Sequence, residues 1–201
     1  IGLGIGASAV VGKYLGRSDY EKAKDASTVI NYISLLFAAV IVCISWFFMD
    51  AIFSLMGASE SHMPDIRSYM VVWFPGSIMI VCIMTGNSVL RACGDTKTPS
   101  ILMAGAGFIN AVLDPVFIFG LGPIPALGIQ GAAWATVIAW AVSYFYLMYL
   151  LVVKKELVSG SLPSRPVMIA SGREMLRIGV PAAGANMMTP LAMGIMTAIA
   201  A

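Results

Sequence analysis

Five apolar runs, each long enough to cross a bilayer, divide this chain, and its charged residues lie almost entirely between them. An α-helix rises 1.5 Å per residue, so about 20 apolar residues cover a hydrocarbon core about 30 Å thick. Runs near 27–49, 68–90, 100–120, 131–153 and 177–201, after a partial one in 1–12, are therefore predicted as membrane-spanning helices. Composition excludes the water-soluble alternative. The chain is 59% hydrophobic and only 11% charged, whereas a soluble domain is about 25% charged. The expected fold class is all-α integral membrane, a polytopic helical bundle.

The basic residues orient this bundle. Eleven of the twelve Lys and Arg fall in the first, third and fifth connections, around 13–25, 91–98 and 154–176 with Arg177 at the edge of the last, and the second and fourth carry only Arg67. Short basic connections stay in the cytoplasm, so the odd connections are expected inside and the even ones outside, in a multi-pass protein of the plasma (inner) membrane. In "RACGDTKTP", Gly94 suits a left-handed helix cap, with Thr98 as N-cap and Pro99 as the first-turn residue of the next helix. The stretch after Lys154 is long, polar and rich in Ser, Gly and Pro. It reads as a linker rather than a hairpin. The domains expected are 1–153, a linker over 154–172, and a second lobe beginning at 173–201.

Other features carry less. The chain starts without methionine and stops within "MGIMTAIAA", so it reads as an internal fragment, and "IGLGIGASAVVG" lacks the marks of a removable signal. Cys43, Cys82 and Cys93 are scattered without metal-ligand spacing and read as small core hydrophobes. Gly128, Ala132 and Thr136 form one small-residue stripe, with Gly131, Ala135 and Ala139 beside it. Such spacing lets membrane helices approach closely. Trp73, Trp134 and Trp140 fit belt anchors, packing or cavity walls equally well.

One run contains residues that hydrocarbon disfavours. "AGAGFINAVLDPVFIFGLG" holds Asn110, Asp114 and Pro115, and Asp114 is the one acid of ten placed deep within a span. Counted from Ile101, it lies about 20 Å in, where a carboxylate costs about 2.5–3.5 kcal/mol or somewhat less. Asn110 is one turn earlier on the same face. Pro115 has no N–H for the carbonyl of Ala111 and gives the helix a place to bend. A carboxylate, an amide oxygen and a freed carbonyl are hard ligands suited to a small cation. The plainer alternative is a hydrated Asp114 near the outer interface, capping a helix that Pro115 breaks.

The order "GKYLGRSDYEKAK", "LRACGDTKTP", "INAVLDPVFIFGLG", "GIQGAAWATVIA" resembles the first half of the multidrug and toxic compound extrusion (MATE) family, in the MOP flippase superfamily; a DinF-like branch is one placement left open. The resemblance implies a twelve-helix transporter with two six-helix lobes related as a parallel repeat about a central cavity. On that reading the chain runs from the end of the second helix to the seventh. It also implies export of organic cations or amphiphilic, drug-like compounds, coupled to inward Na⁺ or H⁺ flow, in a lipid bilayer. No other cofactor, metal or nucleic acid is implied, and the protein is expected to be monomeric. The family's first-lobe cation site corresponds here to Asn110, Asp114 and Thr136, with an acid usually added from the first helix. The seventh-helix segment "GVPAAGANMMTPLA" offers Asn186 and Thr189 but no carboxylate, which places the expected coupling role on Asp114.

Three rivals remain at this level, one of them a passive channel, which ion-driven uphill transport in proteoliposomes would separate from a coupled transporter. A flippase for lipid-linked oligosaccharides would want basic residues lining its cavity, whereas the deep charge here is negative. Enzymatic activity is not expected: His62 lies in an outer connection, and no span carries a nucleophile–base pair.

Overall fold

The computed structural model describes residues 2–55, 59–121, 123, 125–161 and 163–200; for 55, 189–191, 194–195 and 197–200 only the backbone is described. Thr189 therefore has a side chain outside the described residues. Helices α1 (Gly2–Leu15), α2 (Tyr20–Phe47), α3 (Met49–Leu55), α4 (Met63–Ala92), α5 (Lys97–Phe119), α6 (Ile129–Tyr149) and α7 (Arg165–Ala200) follow in order, with a π-helical turn, Leu150–Lys154, extending α6. Among the described residues there is no strand. Among the described residues, four helices are long and apolar enough to cross a membrane: α2, α4, α5, and α6 with its π-helical extension.

The helices start earlier than the apolar runs because their first turns are polar. α2 begins at Tyr20, where Asp19 caps it: Lys22 N–H donates to Asp19 Oδ1 at 3.2 Å, and Lys22 Nζ reaches Oδ2 at 2.7 Å. The side-chain hydrogen bond from Lys22 holds the Asp19 carboxyl below its ordinary value, helped by the backbone bond. That stabilisation is present above the ordinary carboxylate range and is lost as pH falls through the lowered value. At the next inner turn, Gly94 has φ +80°. Gly94 N–H donates to the Arg91 carbonyl and Asp95 N–H to that of Leu90, both at 3.0 Å, which is a Schellman cap. Burial pushes up the Cys93 thiol within this cap. α5 starts at Lys97, so Thr98 and Pro99 lie inside its first turn and Thr96 takes the position preceding it. Pro99 is tolerated there because first-turn N–H groups have no helical acceptor.

Two expectations are modified further. Met49–Leu55 is helical, although its run of seven residues is too short for a span signal. The stretch read as a linker is helical from Arg165 onward, with Pro166 in the first turn and Met168 N–H bonded to the Ser164 carbonyl at 3.0 Å. Composition had marked its Ser, Gly and Pro residues without showing that a helix starts among them.

The described contacts fall into two compact units. One comprises 1–34, 84–96 and 148–201; the other comprises 35–83 and 97–147. In the first, Gly2 and Gly6 of α1 lie so close to Gly179 and Met175 of α7 that a Cβ on either would overlap backbone. Lys13 pairs with Glu174 there, and Lys155 with Asp95 at 3.4 Å. After the π-helical turn the chain folds back, burying Leu157 and Val158. Ser159 N–H donates to Thr28 Oγ1 at 2.9 Å. In the second unit, α6 turns its stripe of Gly131, Ala135, Ala139, Ser143 and Leu147 inward. Gly76 of α4 faces Val137, and Gly131 faces the Phe117 carbonyl, each too closely to admit a Cβ. Small residues here set helix separation, as membrane packing requires.

Candidate functional site

The candidate site lies wholly in the second unit, where α5 and α6 meet. Gly131 makes the approach possible, since α6 comes against the backbone of α5 at Phe117. The connection between the helices reinforces it: Leu127 N–H donates to the Phe117 carbonyl at 2.9 Å and Gly128 N–H to that of Ile118 at 3.2 Å. Gly120 and Gly128, at φ +77° and +56°, supply the left-handed residues of this return.

One turn deeper, the three residues singled out from the sequence come together. Asn110 Nδ2 lies 3.4 Å from Asp114 Oδ1 along α5 and 3.2 Å from Thr136 Oγ1 on α6. Thr136 donates its own hydroxyl proton to the Ala132 carbonyl at 3.0 Å, so it accepts from Asn110. All three side chains are half-buried. Among the described residues, no hydrogen bond engages the second carboxylate oxygen of Asp114 or the amide oxygen of Asn110. The cluster is thus held in place through one set of atoms and keeps oxygen acceptors free. α5 stays helical through Pro115, which leaves the Ala111 carbonyl without its helical donor.

Sequence reasoning missed the surroundings contributed by α4. Tyr69 lies close enough to Asp114 to feel its charge. One turn further on, Trp73 meets Trp140 edge-to-face, with ring centroids 5.7 Å apart. Tyr69 and Trp73 are spaced i, i+4, as are Thr136 and Trp140, so the aromatic pair lies one turn from the polar residues on both helices. Of the three tryptophans singled out from the sequence, Trp73 and Trp140 pack together while Trp134 is exposed. A separate cavity of about 540 Å³ in this unit is walled by Glu60, Met63, Pro64, Arg67, Ser68, Val71 and Gln130. Its guanidinium is already paired, Arg67 to Asp50 at 2.6 Å. Asn186, on α7, bonds back to its own helix at Ala182 and is exposed.

A profile of the MatE family matches residues 1–116. The chain belongs to the MatE family. Its relatives include the FAD transporter of Shewanella oneidensis, 36% identical over the whole chain and 44% of that protein. The probable multidrug resistance protein YoeA of Bacillus subtilis is 32% identical over 90% of the chain and 40% of its own length. Among solved structures, the Vibrio cholerae MATE transporter VcmN in its bent form superposes with a TM-score of 0.87 at 28% identity, over 98% of this chain and 43% of that one. The chain thus spans less than half the length of the relatives it matches. As a MatE protein with several membrane-crossing helices, it is a multi-pass membrane protein of a transporter family.

Proposed function

We propose that the protein containing this chain is a secondary active exporter of amphiphilic, drug-like compounds, with inward movement of Na⁺ or H⁺ coupled through Asp114. The observation that carries this reading is the meeting of Asn110, Asp114 and Thr136, with one carboxylate oxygen of Asp114 and the amide oxygen of Asn110 left unengaged. Acids in spans are costly and usually face a cavity or pathway. In the outward-facing state Asp114 takes up a proton or Na⁺, the latter held by oxygens of Asp114, Asn110 and Thr136. Release on the inner side resets the cycle. Ion and substrate are linked only if each binds the two conformations differently, so the loaded site favours the state that releases the exported compound. Pro115, beside Asp114, gives α5 a point at which that change can be accommodated. The connections around 13–25, 91–98 and 154–176 lie on the cytoplasmic side, following the basic residues.

A second reading of the cargo is favoured by the relative named as an FAD transporter. An anionic dinucleotide in place of an organic cation changes the substrate and leaves the ion site as it is. The deciding experiment uses the full-length protein in proteoliposomes, with imposed Na⁺ or H⁺ gradients and either a fluorescent organic cation or FAD as cargo. Gradient-driven movement of the cation that disappears in Asp114→Asn supports the reading. Undiminished gradient-driven transport by Asp114→Asn defeats the coupling assignment, and movement of FAD alone replaces the substrate class.

A further inference from the structure

The first unit contains a second cavity, of about 500 Å³, walled by Gly4, Ile5, Ser8 and Ala9 of α1 and by Met84, Ser88 and Arg91 of α4. Its walls join two chemistries. Ile5, Ala9 and Met84 are apolar. Arg91 supplies a guanidinium, positioned by donating from Nη2 to Ser88 Oγ at 2.7 Å; Ser88 in turn donates to the Met84 carbonyl at 2.9 Å. The packing of α1 protects this arrangement, because a Cβ at Gly4 would stand 2.6 Å from Ser88 Oγ.

Arg91 is one of eight Lys and Arg residues without an ion pair among the described residues, and it is the one that walls this cavity. Lys13, Lys22, Arg67 and Lys155 each pair with a carboxylate. Among the described residues, no carboxylate lies within ion-pair distance of Arg91. A guanidinium has five N–H donors, and a fork of them matches a phosphate. The residue sits in the last turn of α4, at the end of a span and among the connections that hold most of the basic residues. That is the level of lipid head groups, where basic pockets between helices select anionic lipids.

We propose that this cavity holds an anionic phospholipid, with its phosphate on Arg91 and Ser8 and part of an acyl chain along Ile5, Ala9 and Met84. The apolar wall distinguishes a lipid from a free phosphate, which has nothing to place against it. The lining offers neither a carboxylate nor an aromatic ring for a choline or ethanolamine head group, so a zwitterionic lipid gains less.

The test measures thermal unfolding of the full-length protein with phosphatidylglycerol, with phosphatidylcholine at the same mole fraction, or with inorganic phosphate. Phosphatidylglycerol should raise the midpoint more than phosphatidylcholine, and phosphate should not raise it. Arg91→Gln should erase the difference between the two lipids, and Arg91→Lys, which keeps the charge, should retain part of it. Asp114→Asn should leave the difference intact, which separates this site from the proposed ion site. Equal shifts from both lipids in the unaltered protein overturn the proposal. So does a lipid preference that survives Arg91→Gln, or protection by phosphate equal to that by phosphatidylglycerol.

Discussion

Two sets of polar side chains within apolar helices, one taken from each unit, are satisfied in different ways. In the first, Ser27, Thr28 and Ser88 are buried, and each returns its hydroxyl proton to a carbonyl four residues earlier: Ala23, Lys24 and Met84. Such back-bonding satisfies the hydroxyl inside its own helix. In the second, Asn110 and Asp114 are half-buried and bonded to one another, and Asn110 also reaches across to Thr136 on a neighbouring helix. A polar group closed on its own backbone supports structure. One held by a neighbouring helix with acceptors still free is organised for a ligand. The difference separates two kinds of polar residue that look alike in a hydropathy plot.

The comparison breaks most directly at Thr136. If its hydroxyl helps hold the ion, Thr136→Val should raise the Na⁺ or H⁺ concentration for half-maximal transport about tenfold, the value of one hydrogen bond of about 1.4 kcal/mol. Ser27→Ala, which removes a hydroxyl closed on its own helix, should leave that concentration unchanged. Both substitutions are read in one proteoliposome titration. Equal effects from the two would dissolve the distinction between structural and ligand-holding residues.

Much of this was legible before any coordinates. Asp114 stood out because it is the one acid deep within a span, and helical spacing alone puts Asn110 on its face. Gly94 announced its cap because few residues other than glycine adopt a positive φ readily. What stayed hidden depends on tertiary contact. Tyr69 and Trp73 belong to a helix distant in sequence, and nothing local says that Trp73 will meet Trp140 while Trp134 stays exposed. The start of α7 at Arg165 was masked because Ser, Gly and Pro mark linkers and helix starts alike. Hydropathy windows also register the apolar body of a helix and not its polar first turn, which is why α2 begins seven residues before the run at 27–49.

Glycines sharpen the comparison at the level of stability. Gly76 is seated against Val137 with no room for a Cβ, whereas Gly107, on α5, has nothing within 4 Å of that position. Gly76→Ala should therefore destabilise by about 1–3 kcal/mol through overpacking. Gly107→Ala should be neutral or stabilise by about 0.5–1 kcal/mol, as expected for an unobstructed helical site. Unfolding in a mixed-detergent series with denaturant would measure both. A large loss at Gly107 would mean that another part of the full-length protein packs there.

The smallest expected effect tests the first unit. Thr28 Oγ1 accepts from Ser159 N–H while donating to the Lys24 carbonyl, so one hydroxyl serves both a helix and the returning chain after the π-helical turn. Ser34, less than two turns along the same helix, is fully buried, and its Oγ has no partner among the described residues. Leaving a buried N–H without its acceptor costs about 1–3 kcal/mol, and for the half-buried N–H of Ser159, which water can reach, the cost falls to about 1 kcal/mol or less. Thr28→Val keeps the shape of the side chain and removes the acceptor, so it should destabilise by that amount and loosen the segment around 157–161. Ser34→Ala removes a group that gains nothing from burial and should stay within about 0.5 kcal/mol of neutral, or stabilise. Hydrogen exchange at Ser159 reads the first substitution directly. A loss at Ser34 as large as that at Thr28 would show that its hydroxyl has a partner in the full-length protein, placing it with Thr28 among the residues that tie segments together.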